Sequence, residues 1–128
     1  MRLPLVVLYN ILYCRQMGAV KAVVFRGSAL EDLRGFPLVV RREAGYQLDR
    51  IQRTLDPDDW KPMNSVGSGV REIRIRDETG AFRVIYVAKF ADAIYVLHSF
   101  QKKTQRTAQA DINVAAKRYR DLVKELTQ

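Results

Sequence analysis

The sequence contains little of what would form a disulfide, a metal site or a membrane span. Its single cysteine, Cys14, has no partner for an internal disulfide, and its single histidine, His98, belongs to no cluster with zinc-ligand spacing. We therefore predict a reducing compartment, the cytoplasm, with no metal site and no cofactor. Acidic residues are also in deficit, because 14 Asp and Glu stand against 22 Lys and Arg. The resulting net charge of +8 favours an anionic partner, such as nucleic acid or an acidic protein.

The first residues stand apart because an apolar run follows Arg2. The stretch MRLPLVVLYNILYC resembles the core of a signal peptide, but it is too short to cross a bilayer as a helix. Cleavage of such a signal near Ala22 would destroy a β-rich run at residues 19–25, which argues against export. Translation could instead start at Met17. We predict that residues 1–18 are an extension, that residues 19–128 form one domain, and that no membrane is involved.

Hydrophobic periodicity predicts one strand, two helices, three strands and a final helix. A β-rich run ends near residue 25, and residues 28–31 match a helix capping box that begins at Ser28. Pro37 separates the first helix from a second, whose apolar stripe reaches Leu55. Residues 56–69 are predicted as an irregular loop, and Thr107 as the N-cap of the last helix. The order β-α-α-β-β-β-α indicates an α+β fold, in which helices on one face cover a small, mostly antiparallel sheet.

The three C-terminal strands carry a concentration of cations. The residues concerned are Arg74 and Arg76 on the first strand, Arg83 on the second, and Lys102, Lys103 and Arg106 at the end of the third. Side chains two positions apart share a face of a strand, and cross-strand proximity can bring Arg83 beside Arg74 and Arg76. After the third strand no acidic residue appears before Asp111. Taken singly, each of these cations is an ordinary solvated charge, but together they predict a concave basic surface suited to phosphate.

RNA can be cut without a metal when its 2′-hydroxyl attacks the adjacent phosphate. The reaction needs a group that accepts a proton, a group that stabilises the phosphorane charge and a group that protonates the leaving oxygen. Arg74, Arg76 and Arg83 are predicted to stabilise charge and position the phosphate, because arginine transfers protons poorly at neutral pH. Lys102 or Lys103 is predicted to act as base or acid if other cations crowd it.

Four segments carry a family resemblance and are, in order, VREIRIRD, GAFRVIYV, IYVLHSFQKKTQRT and AAKRY. In these segments the sequence resembles the RelE/ParE toxin superfamily, and especially its phage-derived HigB-like branch. The resemblance covers residues 21–126. It implies the toxin of a type II toxin–antitoxin pair, usually an endonuclease that cuts messenger RNA on the ribosome. It also implies a cognate antitoxin, commonly with a helix-turn-helix domain. Correspondence with the motif supports Arg74, Arg83 and Lys103 first, then Arg76 and Lys102. Ala108 stands where relatives often have proline, and the C-terminal end lacks a further catalytic His or Tyr.

Two candidate residues have alternative interpretations. His98 is a candidate general acid or base because histidine ordinarily changes charge near neutral pH, but strand alternation groups it with Ile94, Val96 and Phe100, which favours a core position. Trp60 could stack on an RNA base or pin its loop to the core. Arg106 is predicted to contact RNA.

Two other classes of function remain alternatives. One is a non-catalytic toxin that poisons a protein such as DNA gyrase, as the ParE side of the superfamily does. The other is a phage-derived module that binds nucleic acid without cutting it, which fits the missing proton-transfer residue near the C-terminus.

Overall fold

The computed structural model describes residues 20–128 as one sheet with three helices. Its elements are β1 (Ala22–Phe25), α1 (Ala29–Arg34), α2 (Leu38–Gln52), β2 (Trp60–Pro62), β3 (Val70–Asp77), β4 (Gly80–Val87), β5 (Ala93–Lys102) and α3 (Gln109–Leu126). The predictions for Cys14, for a start at Met17 and for an extension at residues 1–18 concern residues outside this range. No helix within residues 20–128 is long and apolar enough to span a membrane.

The five strands lie in the order β1-β5-β4-β3-β2. The β1–β5 pair is parallel and the other three pairs are antiparallel, which confirms the α+β class and the mostly antiparallel sheet. The prediction of a purely irregular loop over residues 56–69 is wrong. Trp60–Pro62 form an edge strand that pairs with Arg71, Glu72 and Ile73. Pro62 is compatible with this strand because an edge position does not require its missing N–H.

Helices cover both faces of the sheet, so the prediction that they all lie on one face is wrong. Helices α1 and α2 pack on the face that carries Ile73 and Val84. Helix α3 packs on the opposite face, where Leu122 joins Ile85 in a second cluster. The physical reason is the composition of β4 and β5, because every residue from 82 to 87 and from 93 to 100 is buried. Strands that are apolar on both sides require cover on both sides.

The helix ends also differ from the sequence predictions. Ser28 is the N-cap of α1 but makes no capping hydrogen bond, and its hydroxyl donates to the Asp32 carboxylate instead (2.7 Å). The N-cap of α3 is Ala108 and not Thr107, whose hydroxyl donates to Glu72 on β3 (2.9 Å) instead of capping the helix. Thr107 thereby links the start of α3 to the sheet.

Candidate nucleic-acid interface

The cations of the sheet lie in rows that cross β3, β4 and β5 on the face shared with α3. The rows are Arg76, Ala81 and Lys102; Arg74, Arg83 and Phe100; and Glu72, Ile85 and His98, with Lys61 of β2 opposite Glu72. Residues directly opposite each other in antiparallel strands point to the same face, with Cβ atoms about 5 Å apart. The structure therefore brings Arg74, Arg76, Arg83 and Lys102 together beside α3. We call these four residues and Lys61 the basic surface.

An irregularity in β5 changes the orientation of His98. Ile85 pairs with His98 and Tyr86 pairs with Val96, so Leu97 has no partner on β4 and forms a bulge. The bulge turns His98 to the face of Ile85 and Arg83, whereas Ile94 and Val96 pack under α1 and α2. The prediction that His98 shares a face with Ile94 and Val96 is therefore wrong.

Contacts of the His98 ring fix its position. Its Nε2 lies 2.8 Å from Oδ1 of Asp111 in the first turn of α3, and the ring stacks on Phe100 with centroids 4.8 Å apart. The Nδ1 atom is buried without a hydrogen-bond partner among the described residues. With one nitrogen held and the other buried, His98 joins α3 to β5 and presents no free nitrogen to a substrate. Its predicted catalytic role remains a prediction.

Arg83 is the most deeply buried cation of the basic surface. Its Nη1 donates to the carbonyl oxygen of Phe82 (3.0 Å), and its Nε lies 3.4 Å from Oε1 of Glu72. Arg83 is 2% exposed and Glu72 is 0% exposed. Burial and the nearby Arg74 and Arg76 lower the pKa of Arg83, although Glu72 opposes this shift. Arg83 thus carries its charge at the floor of the surface, next to a buried carboxylate.

Lys102 lies at the end of β5, directly across from Ala81. Its partial burial lowers the pKa of the ammonium below the ordinary lysine value, and the cations Arg83, Lys61 and Arg74 lower it further. Glu72 partly offsets these effects. A lysine in such surroundings deprotonates more readily than a solvated one, so it is better suited to proton transfer near neutral pH.

Arg74 and Arg76 are exposed at the outer side of the surface. Arg74 has one distant acidic neighbour, with Nε 3.9 Å from Oδ1 of Asp59. Both arginines also line a pocket of about 540 Å³ at the sheet edge beside α2, which Asp58 and Asp59 border too. A contact of 3.9 Å between exposed groups leaves the Arg74 guanidinium free to bind another anion.

Four cations at this end of the sheet have no ion pair with any residue in the range 20–128. They are Arg76, Lys102, Lys103 and Arg106. Lys103 and Arg106 lie beyond β5, in the exposed connection to α3. They follow Lys102 of the basic surface closely in the chain, but no described contact fixes their side chains. Their predicted roles in catalysis and RNA contact stay predictions.

Trp60 lies apart from the basic surface. It pairs with Ile73, whose side chain packs under α2, so Trp60 belongs to the opposite face of the sheet. The Arg71 guanidinium covers its ring at 3.9 Å and donates to Asp56 (2.9 Å). One face of the indole is therefore occupied by a cation–π contact. The predicted stacking of Trp60 on an RNA base remains untested.

Sequence reasoning missed three residues that contact the site: Glu72, Lys61 and Thr107. Glu72 had a readable signal, because it alternates with Ile73 and so shares a face with Arg74. Lys61 and Thr107 had none, since their proximity to Glu72 depends on β2 pairing and on the path of the chain into α3. Within residues 20–128 no group of three or more His, Cys, Asp or Glu side chains could hold a metal ion.

One known protein family matches most of the chain. Residues 31–120 match the family described as Phage derived protein Gp49-like (DUF891). The chain belongs to this Gp49-like family. The matched part of this Gp49-like chain includes β2 to β5 and most of α3, and so contains the whole basic surface. Among curated proteins none matches the sequence.

A solved structure shares the fold of the Gp49-like chain. It is a mutant of the E. coli toxin RelE in the free state, with a TM-score of 0.57 and 15% sequence identity. The match covers 80% of this chain and 98% of the RelE chain. The family match and the shared fold together confirm the resemblance noted from the sequence, namely a phage-derived chain with a RelE-like fold.

Proposed function

We propose that this Gp49-like protein is a toxin that cuts messenger RNA on the ribosome, in the cytoplasm. A cognate antitoxin holds it inactive, and in this superfamily the antitoxin is commonly a helix-turn-helix protein. The observation that carries the proposal is the arrangement of Arg74, Arg76, Arg83 and Lys102 in adjacent rows of one sheet face. Several cations within reach of one phosphate group can stabilise the additional charge of a phosphorane better than they stabilise the substrate.

The proposed reaction needs no metal and conserves all atoms. The 2′-oxygen forms a bond to phosphorus as its proton passes to a base, and the bond from phosphorus to the 5′-oxygen breaks as that oxygen takes up a proton. The products are a 2′,3′-cyclic phosphate and a 5′-hydroxyl. Arg74 and Arg76 bind the non-bridging oxygens, because both are exposed, Arg74 has only a distant acidic neighbour and Arg76 has no ion pair within residues 20–128. Arg83 adds fixed positive charge from beneath.

Lys102 is the residue best placed for proton transfer. Its pKa is lowered by partial burial and by the neighbouring cations, so a larger fraction of Lys102 is neutral near pH 7 than for a solvated lysine. Correspondence with the superfamily motif favours Lys103, which follows Lys102 in the exposed connection to α3. The variants Lys102→Met and Lys103→Ala distinguish the roles of the two lysines in proton transfer.

A second candidate function is nucleic-acid binding without cleavage. The observation that favours it is the state of His98, whose Nε2 is bonded to Asp111 and whose Nδ1 is buried. The superfamily's other activity, poisoning of a protein such as DNA gyrase, is an outcome that the same experiment detects.

The proposal is tested by inducing in bacteria the wild type and the variants Lys102→Met, Lys103→Ala and Arg74→Gln. Messenger RNA ends, translation and DNA supercoiling are followed over time. We expect wild-type protein to produce translation-dependent messenger RNA ends. Arg74→Gln and Lys102→Met should reduce their formation by about 100-fold, the usual scale for one charge-stabilising or proton-transferring group.

Arg34→Gln is the matched control. Arg34 is an exposed arginine at the end of α1, on the other face of the sheet, so its removal lowers the net charge equally. Messenger RNA that stays intact while growth is arrested and supercoiling changes would favour the gyrase alternative. RNA binding by purified protein without new ends in cells would favour the binding module.

A further inference from the structure

Glu72 lies beneath the basic surface and contacts three different parts of the chain. Its Oε1 is 3.4 Å from Nε of Arg83 on β4 and 3.8 Å from Nζ of Lys61 on β2. Its Oε2 accepts a hydrogen bond of 2.9 Å from the hydroxyl of Thr107, just before α3. The carboxylate therefore joins β2, β3, β4 and the segment that follows Lys102.

The burial of this carboxylate has no explanation in the packing of the core. Glu72 is 0% exposed, and its Oε1 and the Nε of Arg83 lack hydrogen bonds within residues 20–128 although they lie side by side. A buried charge is unfavourable unless it is paired, and an apolar pair of similar volume is often as stable. The pair as a whole therefore adds little to the stability of the fold, although the loss of one partner alone is costly.

We propose that Glu72 is a positioning residue of the cleavage site, an inference that rests on the proposed nuclease function. Its carboxylate holds Arg83 from below, and through Thr107 it holds the 103–108 connection against the sheet, so that the end of β5 with Lys102 keeps its place. Its negative charge also weakens the attraction of the site for RNA. Glu72 thus lowers affinity while it raises the rate of the chemical step.

These two effects have opposite signs, and this separates positioning from a purely structural role. Glu72→Gln removes the charge and keeps the shape, so the site should bind phosphate more tightly but hold Arg83 and Lys102 less firmly. Thr107→Val removes one hydrogen bond and leaves the charge unchanged. A variant that is only destabilised would lose RNA affinity and cleavage rate together.

The experiment measures two quantities for each purified variant. The dissociation constant is measured with a 2′-O-methyl RNA oligonucleotide, which cannot be cut because it lacks the attacking hydroxyl. The single-turnover cleavage rate is measured at saturation on ribosome-bound messenger RNA. For Glu72→Gln we expect the dissociation constant to fall on the order of threefold to tenfold, as the loss of one nearby negative charge implies. The cleavage rate should fall on the order of 10-fold to 100-fold.

Thr107→Val should leave the dissociation constant unchanged and lower the cleavage rate by about 10-fold, and Thr107→Ser should restore the rate because it keeps the hydroxyl. Asp56→Asn is the matched control for charge, since Asp56 is exposed and pairs with Arg71 on the far face of the sheet. If Asp56→Asn tightens binding as much as Glu72→Gln does, the electrostatic part of the inference is wrong.

The outcomes distinguish this inference from the proposed function. Wild-type protein that binds the oligonucleotide but cuts no message refutes the nuclease function, and with it the positioning of a cleavage site. Wild-type protein that cuts, together with an unchanged rate in both Glu72→Gln and Thr107→Val, refutes the positioning role alone. If Glu72→Gln does not fold, the comparison of Thr107→Val with Thr107→Ser still decides the question.

Discussion

Arg83 should be as important for stability as for any activity of the site. Arg83 is 2% exposed, and its Nε lies 3.4 Å from Oε1 of Glu72, which is 0% exposed. Arg83→Met keeps most of the side-chain volume and leaves Glu72 buried without its nearest cation. Removing one partner of a buried ion pair costs about 3–5 kcal/mol. For a domain of this size, that corresponds to a fall in Tm of roughly 12–20 °C.

The assay is urea unfolding at pH 7, followed by circular dichroism, on the wild type, Arg83→Met, Glu72→Gln and the double variant. We expect each single variant to lose stability with an unchanged dependence on urea, because the exposed surface on unfolding is similar. The double variant should lose less than the sum of the two, by about 1–3 kcal/mol, because it leaves no buried unpaired charge.

Two results would refute this reasoning. A cost below about 1 kcal/mol for Arg83→Met would mean that the pair behaves like a solvated one. Additivity within about 0.5 kcal/mol would mean that Arg83 and Glu72 do not interact. Any loss of activity in an Arg83 variant therefore has to be compared with the stability of that variant, because unfolding alone would abolish activity.

Three further predictions concern other contacts. Burial and nearby cations lower the pKa of Lys102, so its charge disfavours the fold at neutral pH, and this penalty fades as the pH rises towards the ordinary lysine pKa of 10.5. Lys102→Met should therefore raise Tm at pH 7, by an amount that falls to zero in alkali. A lower Tm at pH 7 would contradict this. Hydrogen bonding by Arg26 lowers the pKa of Glu125 below the ordinary 4.5. Thermal melts of Glu125→Gln should therefore show a loss of about 1 kcal/mol in folding stability at pH 7 and no loss once the pH falls below the pKa of Glu125 in the folded protein. Equal losses at both pH values would contradict this. A methyl group in Gly67→Ala would overlap the Tyr119 ring, so this variant should lose about 1–3 kcal/mol in urea unfolding, and an unchanged midpoint would show that the ring moves freely.

Local alternation in the sequence was sufficient to predict where the arginines point. Arg74 and Arg76 are separated by one apolar residue on a regular strand and so share a face, and by the same rule Arg83 shares a face with Ile85. β3 and β4 pair without a register shift, so the predicted faces agree with the structure. The prediction succeeded because the period of a strand is a local property.

Non-local contacts account for what could not be predicted. The unpaired Leu97 reverses the face of His98, and nothing around it in the sequence indicates a bulge. Thr107 has the residue type of an N-cap, but Glu72, which precedes it by 35 positions, is its partner in the structure. The position of α3 on the opposite face from α1 and α2 depends on the apolar residues that both sides of β4 present. Each of these features follows from competition between partners that are distant in the sequence.

The parallel pairing of β1 with β5 has a consequence for the order in which the molecule can assemble during synthesis. Ala22 is made early, but within the described chain its strand neighbour is Ala93, so β1 must wait for β5 to leave the ribosome. The cations of β4 and β5 emerge in the same late interval, and α3 follows them. If the protein attacks messages during translation, it is inactive when its first strand is made, because the ribosome must pass the codons of β5 before the sheet can form.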